Sequence, residues 1–253
     1  MSLTDQIYSP NLLLSAMAAD DLALLKPWLT RVVVAREQVL CAANCPIEHV
    51  YFLEGGIASI VSIRPESGRT EVGIFGREGV SGTSVLIGVD RSPHENFMQV
   101  DSGHALRIDT DRLQASMEQS RSLKGLLTAY VHVMMIQAAA CAVGNAHHRL
   151  EARLARWLLM CHDRVDGDEL RLTHEFMAIM IASQRSGVTV TLHVLEGIGA
   201  IRSKRGRVII VDREKLEELA GDAYGEPEAE YRRLIGPFGR EAVAPPGEER
   251  QAR

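Results

Sequence analysis

Residues 172–220 read LTHEFMAIMIASQRSGVTVTLHVLEGIGAIRSKRGRVIIVDREKLEELA, and this stretch decides the architecture. Thr173 stands where a helix N-cap is needed, and Phe176, Met177, Met180 and Ile181 give the short helix after it one apolar face. Residues 182–184 form a turn. A second helix follows from Arg185 to about Glu196, with Val188, Leu192 and Leu195 inward and Arg185, Ser186, Thr189 and His193 outward. Residues 197–200 break it, and AIRSK and RVIIVD then pair as strands that turn at Arg205-Gly206. Two short helices a few residues apart, followed by a β-hairpin, are the layout of a winged helix-turn-helix.

The outward set on the second helix is short, polar and able to hydrogen-bond, as a helix lying in the major groove requires near its N-terminus. Gly187, inside that helix, costs about 1 kcal/mol relative to alanine; close approach to DNA is a reason to keep it. Arg202, Lys204, Arg205 and Arg207 fall together on the hairpin with no acid among them. Such a cluster suits phosphates, which position a protein without reading sequence. The expected DNA-facing residues are Thr173, Gln184, Arg185, Ser186, Thr189, Arg202, Lys204, Arg205 and Arg207.

Working outward, residues 145–164 (NAHHRLEARLARWLLMCHDR) form a helix with Leu150, Leu154, Trp157, Leu158 and Cys161 inside, and Asp166-Gly167-Asp168 is a turn. Before it, a proline-free helical stretch runs from Arg121 to about Gly144. Leu123, Leu127, Tyr130, Met134 and Cys141 make one apolar stripe along it, thickened by Leu126, Val133 and Ala140. A stripe this broad must be covered on more than one side, so these five residues are expected at the seam with a second subunit. A short helix, DRLQASME, precedes it. Between residues 31 and 108 lie short runs rich in Val, Ile, Phe and Tyr (RVVVA, HVYFLE, IASIVSIR, TEVGIF, NFMQV, HALRID), punctuated by turn residues. Such spacing reads as a β-sandwich, barrel or roll rather than alternating βα units. Residues 12–30 show helical spacing at Leu13, Met17, Leu22 and Leu25. From about Pro237 the chain turns proline-, glycine- and charge-rich, and disorder is expected there.

The 253 residues are 46% hydrophobic and 24% charged, with a net charge of −5. That balance excludes disordered, collagen-like and nucleic-acid-coating proteins. The acid excess is uneven: eleven basic against fifteen acidic residues over 1–145, twelve against eleven over 146–220, and five against seven over 221–253. No apolar run approaches the roughly 18 residues that a membrane span needs, and residues 1–15 lack the pattern of a cleavable leader. The expected location is the cytoplasm. Four cysteines, Cys41, Cys45, Cys141 and Cys161, are too few and too uneven for a disulfide scaffold.

With these residues in place, the segment from Leu172 through the hairpin resembles the DNA-binding domain of the Crp/Fnr regulators. Thr173, Arg185, Val188, Leu195-Glu196 and Gly206 carry the resemblance, which is strongest over 145–220 and extends over about 220 residues of the chain. It implies an α+β fold: an N-terminal β-roll resembling cyclic-nucleotide-binding domains (1–120), a dimerisation helix (121–144), a winged helix-turn-helix (145–220), and a C-terminal helix with a disordered tail (221–253). It implies a homodimer on a near-palindromic duplex, leaves room for RNA polymerase as a further partner, and predicts neither enzyme activity nor a membrane. By resemblance Arg185 takes the base-reading position and Thr173 a phosphate contact, while Ser186 and Val190 replace an acid and a second arginine of the cyclic-AMP-binding member.

The same resemblance places an effector site at Gly82, Thr83, Ser84, Arg91, Ser92 and His94. Thr83 and His94 stand where nucleotide-binding members carry an acid and an arginine, so cyclic AMP is not the expected effector. Cys41 and Cys45 are read as buried small hydrophobes rather than a redox pair or cluster ligands, and no cofactor or metal is expected. The competing reading is a cupin-like enzyme with a metal on His94, Glu95 and His104; another is a sensor whose helix-turn-helix contacts only protein.

Overall fold

The computed structural model describes residues 9–64, 66, 68–100 and 103–240. Two antiparallel sheets face each other in the N-terminal half. One is three-stranded, in the order β1 (Thr30–Val34), β7 (Gly103–Asp109), β3 (His49–Leu53); the other is four-stranded, in the order β2 (Val39–Cys41), β6 (His94–Val100), β4 (Ile57–Arg64), β5 (Gly68–Phe75). The six runs expected as strands are strands, because alternate residues on each meet the facing sheet. Val34, Leu40, Leu53, Ala58, Phe75, Met98 and Ala105 form the layer between the sheets, one residue from each strand. Strand β2 was not foreseen: three residues carry too little pattern to stand out.

Helices α1 (Leu12–Ser15) and α2 (Ala19–Leu25) lead into the roll. Asn11 caps α1, its Oδ1 accepting from the Leu14 amide at 2.9 Å while its Nδ2 donates to the Leu53 and Gly79 carbonyls. Helix α3 (Thr110–Gln119) leaves β7 and is followed by α4 (Arg121–His147), which Ser120 caps through the Leu123 amide.

Helix α4 corrects the sequence reading of its apolar stripe. Leu123, Leu127, Tyr130 and Met134 are buried in this chain's own core, packed with Leu13, Val85, Leu86 and Leu113, and so do not form a seam between subunits. Cys141 is half-buried and receives Arg156 Nη1 at 3.4 Å. The opposite face is exposed and follows a different rule: Thr128, His132, Met135, Ala139, Ala142 and Ala146 recur at alternating spacings of four and three, the spacing of a coiled-coil seam, and every one is exposed. Contrary to the expectation of no membrane-length apolar run, α4 is long and apolar enough to cross a bilayer by length and composition. Its inner stripe instead covers the roll.

Helix α4 runs through His147, so α5 (Leu150–His162) starts five residues later than the spacing suggested. Beyond it come β8 (Glu169–Leu170), α6 (His174–Met180), α7 (Arg185–Gly197), β9 (Ile201–Lys204), β10 (Arg207–Ile210), α8 (Arg213–Ala220) and α9 (Glu226–Leu234). This C-terminal unit does not hang free. Ile57, Ile74 and Val100 of the roll share one buried cluster with Leu154, Trp157, Leu158, Met177 and Met180.

Polar contacts reinforce that joint. Glu71 on β5 is buried; its Oε1 accepts the indole N–H of Trp157 at 2.8 Å, and its Oε2 lies 2.9 Å from Ser59 Oγ. Burial pushes the Glu71 carboxyl up to about 8, against the pull of these hydrogen bonds and of Arg156 and Arg164. Arg164 on the far side of the joint pairs with Glu78 at 2.8 Å, both side chains only 2% exposed. Burial opposes the Arg164 charge, but Glu78, Glu228 and Asp163 hold it protonated. Helix α9 lies along α4, with Tyr231 buried and its hydroxyl donating to the Glu78 carbonyl.

Most of the tail expected to be disordered lies outside the described residues, but its first four, 237–240, are held. Phe238 is buried against Tyr231 at a ring separation of 5.0 Å, and Arg240 bonds Asp168 at 2.8 Å.

Candidate nucleic-acid interface

Helix α6 begins at Thr173, whose Oγ1 accepts from the Phe176 amide at 3.2 Å. It ends at a tight turn in which Ala182 takes the left-handed conformation at φ 47°. Arg153 of α5 braces this turn by donating to the Ile181 carbonyl. Helix α7 then buries Val188, Leu192 and Leu195, the expected inward set, together with Thr191; of the expected outward set Arg185, Ser186 and His193 are exposed, whereas Thr189 is half-buried.

Between the start of α7 and the hairpin lies an open groove of about 630 Å³ lined by Thr173, His174, Glu175, Arg185, Ser203, Lys204, Arg205 and Gly206. Four of the residues expected to face DNA, Thr173, Arg185, Lys204 and Arg205, are therefore brought together. Gln184, Arg185 and Ser186 are exposed at the head of α7, and Gln184 makes no side-chain cap bond. Open amides at a helix start favour an anion, a phosphate among them. Thr189 is different: its Oγ1 donates to the Arg185 carbonyl at 3.0 Å and lies 3.0 Å from His174 Nδ1, so its hydroxyl is engaged within the protein.

On the hairpin, Lys204 sits opposite Arg207 in the β9–β10 register, and Glu196 Oε1 accepts from the Ser203 amide at 2.7 Å, fixing the hairpin to α7. Arg202, Lys204 and Arg205 are exposed. Arg207 pairs with Glu169 of β8 at 3.3 Å, which answers part of its charge. Arg202 and Arg207 do not line the groove.

Gly187 faces inward rather than toward a ligand. A Cβ there would lie 3.1 Å from Leu150 Cδ2 and 3.2 Å from Ser183 Oγ, so glycine lets α7 approach α5; DNA is not the reason. One feature escaped the sequence reading: His174 reaches Thr189 only once the two helices are packed. Val190, set by the resemblance in the place of a second arginine, is 64% exposed on the outward face.

The residues expected at the effector site are not gathered in the same way. Gly82 (φ 66°) is packed, with Val50 Cγ1 3.1 Å from where its Cβ would be, and its amide donates to Asn96 Oδ1. Arg91 turns to its exposed neighbour Asp90, with Nη2 to Oδ2 at 2.8 Å. Ser92 Oγ accepts from the His94 amide, and burial together with Arg64 lowers the pKa of His94. Thr83 and Ser84 enter a 3₁₀ turn over Val85–Ile87.

The cupin reading finds no ligand set: His94 begins β6, Glu95 is paired with Arg69, and His104 is exposed on β7 of the other sheet. Among the described residues no group of three or more His, Cys, Asp or Glu is placed to hold a metal ion. Cys41 is buried, which pushes its thiol up to about 11, whereas Cys45 is exposed.

Residues 152–219 match the family profile of the Crp-like helix-turn-helix domain. Among solved structures, a protein from Eubacterium rectale assigned to the Crp/Fnr family of transcriptional regulators superimposes with a TM-score of 0.65 at 16% identity, over 82% of this chain and 97% of that one. A CRP-family transcriptional regulator from Thermus thermophilus gives 0.63 at 20% identity, over 75% and 96%. The c-di-GMP-responsive global regulator CLP from Xanthomonas campestris gives 0.61 at 16%, over 76% and 99%. At these identities the likeness is one of fold. No curated protein matches the chain in sequence.

Proposed function

We propose that this chain, which carries a Crp-like helix-turn-helix domain within the fold of Crp/Fnr regulators, is a sequence-specific DNA-binding transcription regulator that works as a homodimer. The observation that carries the reading is the groove in which Arg185, at the exposed head of α7, stands beside Lys204 and Arg205 of the hairpin. A helix of these dimensions enters the major groove, where an arginine fork on guanine O6 and N7 is worth about 1–3 kcal/mol of discrimination. The hairpin cations and Thr173 serve the phosphates on either side.

The homodimer rests on the outer face of α4. Thr128, His132, Met135, Ala139, Ala142 and Ala146 form a seam free of Lys, Arg, Asp and Glu at coiled-coil spacing, its last three positions alanine, with His132 4.0 Å from Glu230 of α9. A second copy of the same helix fits it. Pairing presents α7 twice, with half-sites about one helical turn apart, roughly 34–36 Å, and the operator is then a near-palindrome. The roll acts as the sensor, with an effector other than cyclic AMP held near Gly82, Thr83, Ser84, Arg91, Ser92 and His94. Arg91, engaged by Asp90, must turn from it to meet an anion. The protein is a cytoplasmic regulator, with RNA polymerase as a further partner when it activates.

Selection of bound sequences from random duplex DNA tests the reading. The wild-type protein is expected to return a two-fold symmetric motif, and Arg185→Ala a motif lacking one guanine preference per half. A motif unchanged by the substitution removes the assigned contact; absence of any enriched sequence removes the function.

A further inference from the structure

Helix α7 has one face that the protein leaves bare. Val188, Thr191, Leu192 and Leu195 are buried, and directly opposite them, at successive turns, stand Ser186, Val190, His193 and Gly197, all exposed. Val190 is 64% exposed, against 42% for Val194 and 44% for Ile198 further along. An apolar side chain at the centre of an outward helix face, one turn beyond a serine and an arginine, gains nothing from its own fold.

Base edges in the major groove offer one apolar group, the C5 methyl of thymine. Building on the DNA reading above, we infer that Val190 reads a thymine methyl near the guanine read by Arg185. The spacing fixes where. Five residues of α-helix advance about 7.5 Å, and successive base pairs lie about 3.4 Å apart, so the thymine lies within about two base pairs of the guanine. Val190 is favoured over its apolar neighbours by exposure: it is 64% exposed against 42% for Val194, while Thr189 is half-buried with its hydroxyl engaged by the Arg185 carbonyl and His193 lies 3.7 Å from Glu196. Val190 is thus a specificity-determining residue, and it sets one letter within about two base pairs of the guanine as T.

Replacing that thymine with deoxyuridine tests the inference, because it removes the methyl and leaves pairing and the O4 acceptor intact. The protein is the full chain, and the operator is the one recovered by selection. Burial of one methyl is worth a factor of about three to five per half-site, so substitution in both halves is expected to weaken wild-type binding about tenfold or more. Val190→Ala is expected to bind the thymine operator more weakly and to lose most of the distinction between thymine and deoxyuridine. Arg185→Ala is expected to lose the guanine preference and keep that distinction. Equal wild-type affinity for the two operators at every thymine within two base pairs of the guanine overturns the inference. So does a deoxyuridine penalty that survives intact in Val190→Ala. Failure to bind any duplex overturns the DNA reading itself, and this inference with it; the two failures are told apart by whether an operator is recovered at all.

Discussion

The carboxyl of Glu71, on β5 of the roll, accepts a hydrogen bond at 2.8 Å from the indole nitrogen of Trp157, 86 residues later on α5. The roll and the helix-turn-helix unit therefore meet at a buried acid. Ser59 Oγ, with a single proton, faces two acceptors, Glu71 Oε2 at 2.9 Å and Gln99 Oε1. A protonated Glu71 that donates to Ser59 while Ser59 donates to Gln99 satisfies both.

This joint makes stability depend on pH in a stated direction. Burial raises Glu71 from the ordinary 4.5 to about 8. Below 4.5 both folded and unfolded chains hold the proton; between there and 8 the unfolded chain loses it first, so stability falls as pH rises, and the loss is complete above the folded value. Denaturant unfolding of Glu71→Gln across pH 5–8 is expected to show a decline shallower than wild type by on the order of 3 kcal/mol. Parallel profiles would show that the carboxyl is ionised in the folded protein.

The two faces of α4 respond oppositely to charge. Met135, 66% exposed, is on the outer seam, and Met135→Glu is expected to give a folded monomer in sedimentation with weakened operator binding. Leu127 is fully buried, and Leu127→Glu is expected to destabilise the fold itself by several kcal/mol, since an unpaired charge would enter the core. A Met135→Glu protein that stays dimeric rejects the seam.

The hairpin cations are expected to act through salt. Removing one phosphate-bound cation lowers the slope of log K against log salt by about 1. Lys204→Ala and Arg205→Ala are each expected to flatten the titration by that amount and to leave the selected motif unchanged. A slope that stays the same in both variants would make the hairpin a solvated surface.

Ala182, between α6 and α7, holds φ 47°, a conformation that costs an L-residue roughly 1–2 kcal/mol and glycine little. Ala182→Gly is expected to raise unfolding free energy by about 1 kcal/mol, after the extra entropy of glycine in the unfolded chain. A lower midpoint with an unchanged denaturant slope would mean that the methyl packs in a way that outweighs the strain.

The amino-acid order alone settled what is local. Period-two apolar runs became strands; Thr173, the break at residues 182–184 and the Arg205-Gly206 turn set the two helices and the hairpin; Arg185 stood where an exposed helix head was due. Tertiary packing decided what each face touches. Periodicity states that the Leu123–Leu127–Tyr130–Met134 stripe is covered, but not by what, and the roll took it, leaving the small-residue face of α4 bare. Gly187 met Leu150 rather than a ligand, Phe238 found Tyr231, and Glu71 found Trp157. A residue's own chemistry fixes how it prefers to fold with its near neighbours, while its partner across the core is chosen only when distant segments come together and every buried polar group must be answered.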